Sequence, residues 1–176
     1  MKIKILLIFV GLIVGLAAYV AAQPSEMSIT RELFIKATPE LLFPWINNSK
    51  KSNEWMPWKT IDPVLEMNYA GPEEGVGSIS KWDSKGQMGT GQAEIIESIP
   101  NQLVKTQLTY TKPMQMSQLA EVSLHPKEDG TLVRWSVSGK NGYVGKLFGV
   151  FMNMDKLIGS QFEMGLASLK SLAEKN

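Results

Sequence analysis

Residues 116–139 read MSQLAEVSLHPKEDGTLVRWSVSG. Ala120, Val122 and Leu124 alternate with polar residues, and so do Val133, Trp135 and Val137. Between the two runs lies Pro126-Lys-Glu-Asp-Gly130, a cluster of turn-forming residues. Strict alternation puts successive side chains on opposite faces, so each run is a strand with one apolar face. The turn between them folds one back on the other as an antiparallel hairpin.

Working upstream, the same grammar repeats. Val64–Ala70, Gly77–Asp83, Gly89–Ile99 and Gln102–Thr111 read as strands, with Val104, Leu108 and Tyr110 on one face of the last. Gly71-Pro-Glu-Glu-Gly75, Asp83-Ser-Lys-Gly86, Pro100-Asn101 and Lys112-Pro113 are turn signals at hairpin spacing. Six strands in a row with short turns predict an antiparallel meander. Before it, Ser28–Lys36 reads as a further strand, which makes seven. Thr38 and Pro39 then form an N-cap and a first helical position, so a short helix follows, its apolar face made by Leu41, Leu42, Trp45 and Ile46. Asn47-Asn48-Ser49 breaks it, and a second short helix is expected near Ser52–Trp58.

Downstream, Tyr143–Glu174 is expected to form one long helix. Leu147, Phe151, Met154, Ile158, Gly165, Leu169 and Leu172 share a face at the 3.6-residue period. Gly159 and Gly165 weaken it by about 1 kcal/mol each relative to alanine. Gly165 lies inside the apolar stripe, where close approach to a partner surface accounts for it. The predicted class is therefore α+β: a curved antiparallel seven-stranded sheet wrapped on a long C-terminal helix, with two short helices after the first strand. One helix, about 10 Å across, does not fill the concavity of such a sheet, so a cavity between helix and sheet is a geometric expectation.

The N-terminus is of another kind. Lys2 and Lys4 precede an uncharged apolar run from Ile5 to Ala22. As a helix that run covers roughly 27 Å, close to the thickness of a bilayer's hydrocarbon core. Residues 1–22 are expected to be a transmembrane anchor, with Tyr19 as an interfacial aromatic; the competing reading is a signal peptide cleaved before Gln23, with Val20 and Ala22 at its small-residue positions. Either way Lys2 and Lys4 stay cytoplasmic and the C-terminal domain lies outside. Residues 23–27 read as a polar linker, and 28–176 as the domain.

Composition narrows the chemistry. Lys plus Arg number 18 and Asp plus Glu 17, so no basic surface points to nucleic acid. Cysteine is absent and His125 is the single histidine, which excludes disulfides, thiolate chemistry and a histidine-rich metal site. No cofactor and no metal are expected. His125, before Pro126, reads as a solvated turn residue rather than a base, and Glu73-Glu74 as a solvated loop. Asp155 flanks the helix's apolar face and suits a boundary ion pair; Glu94 and Glu121 lie mid-strand and are expected to face outward.

Several short stretches together resemble a known family. They are Ile35-Lys-Ala-Thr-Pro-Glu40, Trp55-Met-Pro-Trp58, Tyr69–Gly77 followed by Trp82, Gly89-Thr-Gly91, Asp129–Trp135 and Leu157–Leu166. Their order and spacing resemble the START-like, helix-grip superfamily (SRPBCC), which includes polyketide cyclase/dehydrase-like and lipid-transport proteins. The resemblance spans Ile29 to Glu174. Asn47-Asn48 stands where relatives usually carry an Asp-containing segment. The resemblance implies a small hydrophobic or amphipathic ligand, such as a lipid, held between sheet and C-terminal helix. The alternatives are a cyclase/dehydratase-type enzyme using cavity acid/base residues, and a ligand-free envelope or interaction domain. The candidate cavity residues are Trp55, Trp58, Tyr69, Trp82, Tyr110, Trp135, Phe151, Met154 and Ile158; no catalytic residue is assigned.

Overall fold

The computed structural model describes residues 2–175. An apolar helix, α1 (Lys2–Ala22), leads through residues 23–25 into β1 (Glu26–Ile35). Three short helices follow: α2 (Pro39–Asn47), α3 (Ser49–Trp55) and a single turn, α4 (Trp58–Ile61). The meander then runs through β2 (Glu66–Ala70), β3 (Ile79–Asp83), β4 (Thr90–Ile99), β5 (Leu103–Lys112), β6 (Met116–Lys127) and β7 (Gly130–Lys140). Two helices end the chain, α5 (Tyr143–Phe151) and α6 (Met154–Ala173).

The seven strands form one antiparallel sheet in the order β1-β7-β6-β5-β4-β3-β2. The chain crosses from β1 to the opposite edge through the three helices, then meanders back until β7 pairs with β1. The quoted hairpin pairs Val122 with Trp135 and Ala120 with Val137, as the alternation requires. β6 runs on through Pro126, which pairs with Thr131; β5 begins at Leu103 opposite Ser123, so the proline removes no strand-pair hydrogen bond on that side.

Three expectations change. The linker is shorter than residues 23–27, because Glu26 and Met27 already pair with Lys140 and Gly139. The helices after β1 number three rather than two: Asn48 accepts from the N–H groups of Lys50 and Lys51 and starts α3 at Ser49, and α4 is separate. The C-terminal helix is two helices. Met152 is extended (φ −127°, ψ 135°), and the Asn153 side chain caps α6 by accepting from the Lys156 N–H at 2.9 Å. The expected stripe is thereby cut. In α6 the buried positions are Gly159, Phe162, Gly165, Leu166, Leu169 and Ala173, whereas α5 buries none of its residues.

α6 lies across β1 and β7 and is fastened at the edge by Arg31, whose guanidinium contacts Asp155 at 2.9 Å and Glu163 at 2.7 Å. The paired guanidinium holds the Asp155 carboxyl below its ordinary range. In the core Trp135 stacks on Phe162 (4.0 Å, 8°), and Trp55 meets Trp135 edge-on at 5.0 Å. A Cβ on Gly165 would sit 2.7 Å from the Trp135 ring, so this glycine sets the closeness of helix to sheet.

Candidate functional site

Because α6 sits over β1 and β7, the concave faces of β3–β6 are left to α2, which packs on β6, to α3, which packs on β3, and to open space between. That space is a cavity of about 320 Å³. It lies at the small end of the range for small-molecule sites. Its floor is the apolar face of the meander, including Ile95, Val104, Leu108, Val122 and Val137. Aromatic rings form its walls. Trp135 and Phe162 close the side under α6, and Trp82 meets Tyr110 edge-on at 5.3 Å on the other. Gly91 makes the second arrangement possible: a Cβ there would fall 2.4 Å from the Trp82 ring.

The interior polar groups of the described lining are neutral: Ser80, Thr106, Tyr110, Gln118 and Gln161, with Ser49, Ser52 and Asn53 of α3. Burial pushes the Tyr110 pKa up, so the phenol stays protonated and able to donate. Among the described lining residues there is neither carboxylate nor histidine. Lys112 stands at the edge, on the surface.

The exposed lining residues locate the opening. Gln87, Lys112, Pro113 and Met114 are exposed, whereas the rest of the described lining is buried or half-buried. Gln87 comes from the β3–β4 turn and the other three from the end of β5 and the β5–β6 turn, so the mouth lies between these two turns. The first turn is pinned. Asp62, buried after α4, accepts the Met88 N–H at 2.9 Å and the Ser84 hydroxyl at 2.8 Å. Those bonds, the Met88 N–H foremost, hold its carboxyl below the usual range. The Trp82 indole N–H donates to the Met88 carbonyl at 3.2 Å and ties the turn to the wall.

Residues 26–174 match the family described as polyketide cyclase / dehydrase and lipid transport. The chain belongs to that family. Solved structures agree on the fold. A putative uncharacterized protein from Rhizobium leguminosarum is 16% identical, with a TM-score of 0.60 over 86% of this chain and 96% of its own. The Aha1 dimer from Colwellia psychrerythraea is 22% identical, TM-score 0.60, over 84% and 96%. The di-domain ARO/CYC StfQ of the steffimycin biosynthetic pathway is 9% identical, TM-score 0.62, over 86% of this chain and 51% of its own. At these identities the likeness is one of fold. None of the curated proteins matches the sequence.

Within this family's fold, the expected cavity residues divide. Trp55, Trp58, Trp82, Tyr110, Trp135 and Ile158 line the cavity. Tyr69, Phe151 and Met154 do not. Tyr69 is exposed on the edge strand β2. Phe151 and Met154 border a separate shallow groove with Glu26, Met27, Ser28 and Ile29 of the edge strand β1, on either side of the helix break at Met152–Asn153. Trp55 is a packing residue as much as a wall: it is fully buried and its indole N–H donates to the Trp45 carbonyl at 2.9 Å.

The other candidates have ordinary partners. His125 shares a 3.1 Å hydrogen bond with Ser123, outside the cavity. Asp155 is the ion-pair partner of Arg31. Glu94 and Glu121 are absent from the described lining, and no metal-holding group of acidic and histidine residues exists among the described residues. What sequence reasoning missed is the methionine lining: Met56, Met67, Met88, Met114 and Met116 come from loops and strand ends. The chain has ten methionines, and that count is their one signal in the sequence, since nothing local fixes where loop residues converge.

Proposed function

We propose that the domain is a receptacle for a small apolar or amphipathic ligand, held outside a membrane by α1. The observation that carries this reading is the cavity itself: about 320 Å³ enclosed by indole rings, aliphatic side chains and methionines, with neutral hydrogen-bonding groups spaced along its wall. Apolar burial supplies affinity in such a site, and isolated polar groups orient the ligand. Flexible methionines let one cavity accept differing apolar shapes. A lipid or a lipid-like molecule with one hydroxyl or carbonyl fits this chemistry. The family's description, which includes lipid transport, supports the same class.

Cyclase or dehydratase chemistry is less well supported. It requires a converging acid and base. The titratable groups in the described lining are Tyr110, whose phenol is kept neutral by burial, and Lys112, which lies at the rim. The anchor reading rests on α1, which is long and apolar enough to cross a bilayer, a property that single spans and signal sequences share. With α1 uncleaved, Lys2 and Lys4 lie on the cytoplasmic side and the domain on the other.

Native mass spectrometry of a fragment beginning at Gln23 tests the receptacle. A co-purifying small molecule that is released on denaturation is the expected result. A ligand-free protein that also fails to take up an environment-sensitive apolar dye would contradict it.

A further inference from the structure

α5 is an unusual helix for a globular domain. It buries none of its nine residues, yet Val144, Phe148 and Phe151 lie on one face at helical spacing and are 44%, 51% and 69% exposed. Tyr143 and Met152 flank that face and are exposed as well. Water is a poor partner for such a surface. The neighbour of α5 is α1: the Tyr143 hydroxyl donates to the Ala17 carbonyl at 3.4 Å, and the Lys146 ammonium to the Ala21 carbonyl at 3.1 Å. The level of α5 along α1 is therefore that of residues 17–21, the last turn and a half of the apolar run. That is roughly 2–8 Å inside its end, a range that overlaps the depth at which in-plane amphipathic helices sit.

The register of the sheet extends this relation to the cavity. Only residues 23–25 separate α1 from β1, so the start of β1 lies within about 14 Å of the end of the apolar helix. Antiparallel pairing places the start of β1, the end of β7, the start of β6 and the end of β5 at one end of the sheet: Glu26 pairs with Lys140, Gln118 with Gly139, and Tyr110 with Met116. The start of β4 and the end of β3 follow, with Thr90 opposite both Lys112 and Asp83. The mouth residues Gln87, Lys112, Pro113 and Met114 belong to the turns at this same end. The opening of the cavity and the apolar face of α5 are thus both at the end of the sheet from which α1 leaves.

We propose that α5 lies in the plane of the bilayer interface beside α1 and holds the cavity mouth against the lipid surface. This rests on the anchor reading of α1. A lipid molecule then passes between bilayer and cavity past Met114 without crossing bulk water, and the ammonium groups of Lys112 and Lys146 stand at headgroup level, where phosphates are the complementary charge. The occupant of the α5 face is the bilayer in which the chain itself is anchored; a second copy of the chain is the competing occupant.

The absence of cysteine makes a direct test clean. Single variants Phe151→Cys, Phe148→Cys, Met114→Cys and Val76→Cys of the full chain are labelled with an environment-sensitive fluorophore. They are then reconstituted into phosphatidylcholine/phosphatidylglycerol vesicles with or without lipid carrying a doxyl quencher high on the acyl chain. All four positions are exposed, and Val76 lies at the opposite end of the sheet. Blue-shifted emission at 148 and 151, quenching by the doxyl lipid there and at 114, and water-like unquenched emission at 76 are expected. Labels at 148 and 151 as water-like as the one at 76 would overturn the proposal. So would blue-shifted emission that doxyl lipid leaves unquenched, which marks a second copy on the face. Quenching at 148 and 151 without quenching at 114 would overturn the placement of the mouth. Intact mass and carbonate extraction of the same samples separate the two readings: a chain beginning at Gln23 removes the anchor and this inference together, whereas a retained chain with water-like labels removes this inference alone.

Discussion

Gly165 of α6 and Trp135 of β7 are fitted to each other: an added methyl at Gly165 would lie 2.7 Å from the indole and 3.2 Å from the ring of Pro57. Ring and backbone leave no room for relaxation, because Trp135 is itself stacked on Phe162 and edged by Trp55 and Trp58. This contact fixes how far α6 stands from the sheet, and with it the depth of the cavity beside it.

Gly165→Ala is therefore expected to destabilise the domain by about 1–3 kcal/mol, even though alanine is the better helix former. Equilibrium denaturation compared with Ala167→Gly, an exposed position in the same helix, separates the two effects. The exposed change should cost only about 1 kcal/mol, from propensity.

Much of this was readable in the residues. The alternation in 116–139 carries the sheet, since a period of two has one physical meaning, and Gly165 in an apolar stripe pointed to close packing. The break at Met152–Asn153 was also written there, as an Asn N-cap followed by Asp155 in the first helical turn, but the apolar period running across it masked the signal. The aromatic residues singled out on strands and short helices, Trp55, Trp58, Trp82, Tyr110 and Trp135, all reach the cavity, because strand alternation and helix period set the side each faces. The mouth was not legible. Gln87, Met114 and the Asp62 pin depend on how loops meet across the fold, and no local pattern encodes that.

Asp62 is expected to control the order of the β3–β4 turn. Asp62→Ala removes the acceptor of the Met88 N–H and the Ser84 hydroxyl. Trypsin cleavage after the exposed Lys85 should become faster while the circular dichroism of the sheet stays unchanged. Unaltered cleavage would show that the turn is held by other contacts.

The same carboxylate gives a pH dependence of defined sign. Its folded pKa is depressed, so its contribution to stability is complete above the ordinary carboxylate range near 4 and is lost as pH falls through the lowered folded value. Asp155 beside Arg31 acts in the same direction. Denaturation midpoints should fall with acidification below about pH 4, and the fall should be shallower in Asp62→Ala.

The domain is expected to fold without α1. Its main core cluster lies wholly within residues 27–173, and α1 packs against the rest chiefly through α5. A fragment starting at Gln23 should melt in one cooperative transition. Aggregation driven by the freed α5 face, relieved by mild detergent, is compatible with a folded domain; a non-cooperative melt in detergent is not.

The space between α6 and the meander is expected to be a ligand site and not a packing void. Ala120 lines it from β6, the first strand of the quoted hairpin. The deciding measurement pairs uptake of an environment-sensitive apolar dye with the denaturation midpoint for the Gln23 fragment and its Ala120→Phe variant. The expected result is strong dye uptake by the parent, its loss in the variant, and a stability change below about 1 kcal/mol, because the added ring occupies existing space. A parent that takes up no dye, with a variant destabilised by about 1–3 kcal/mol as in a close-filled core, would contradict it.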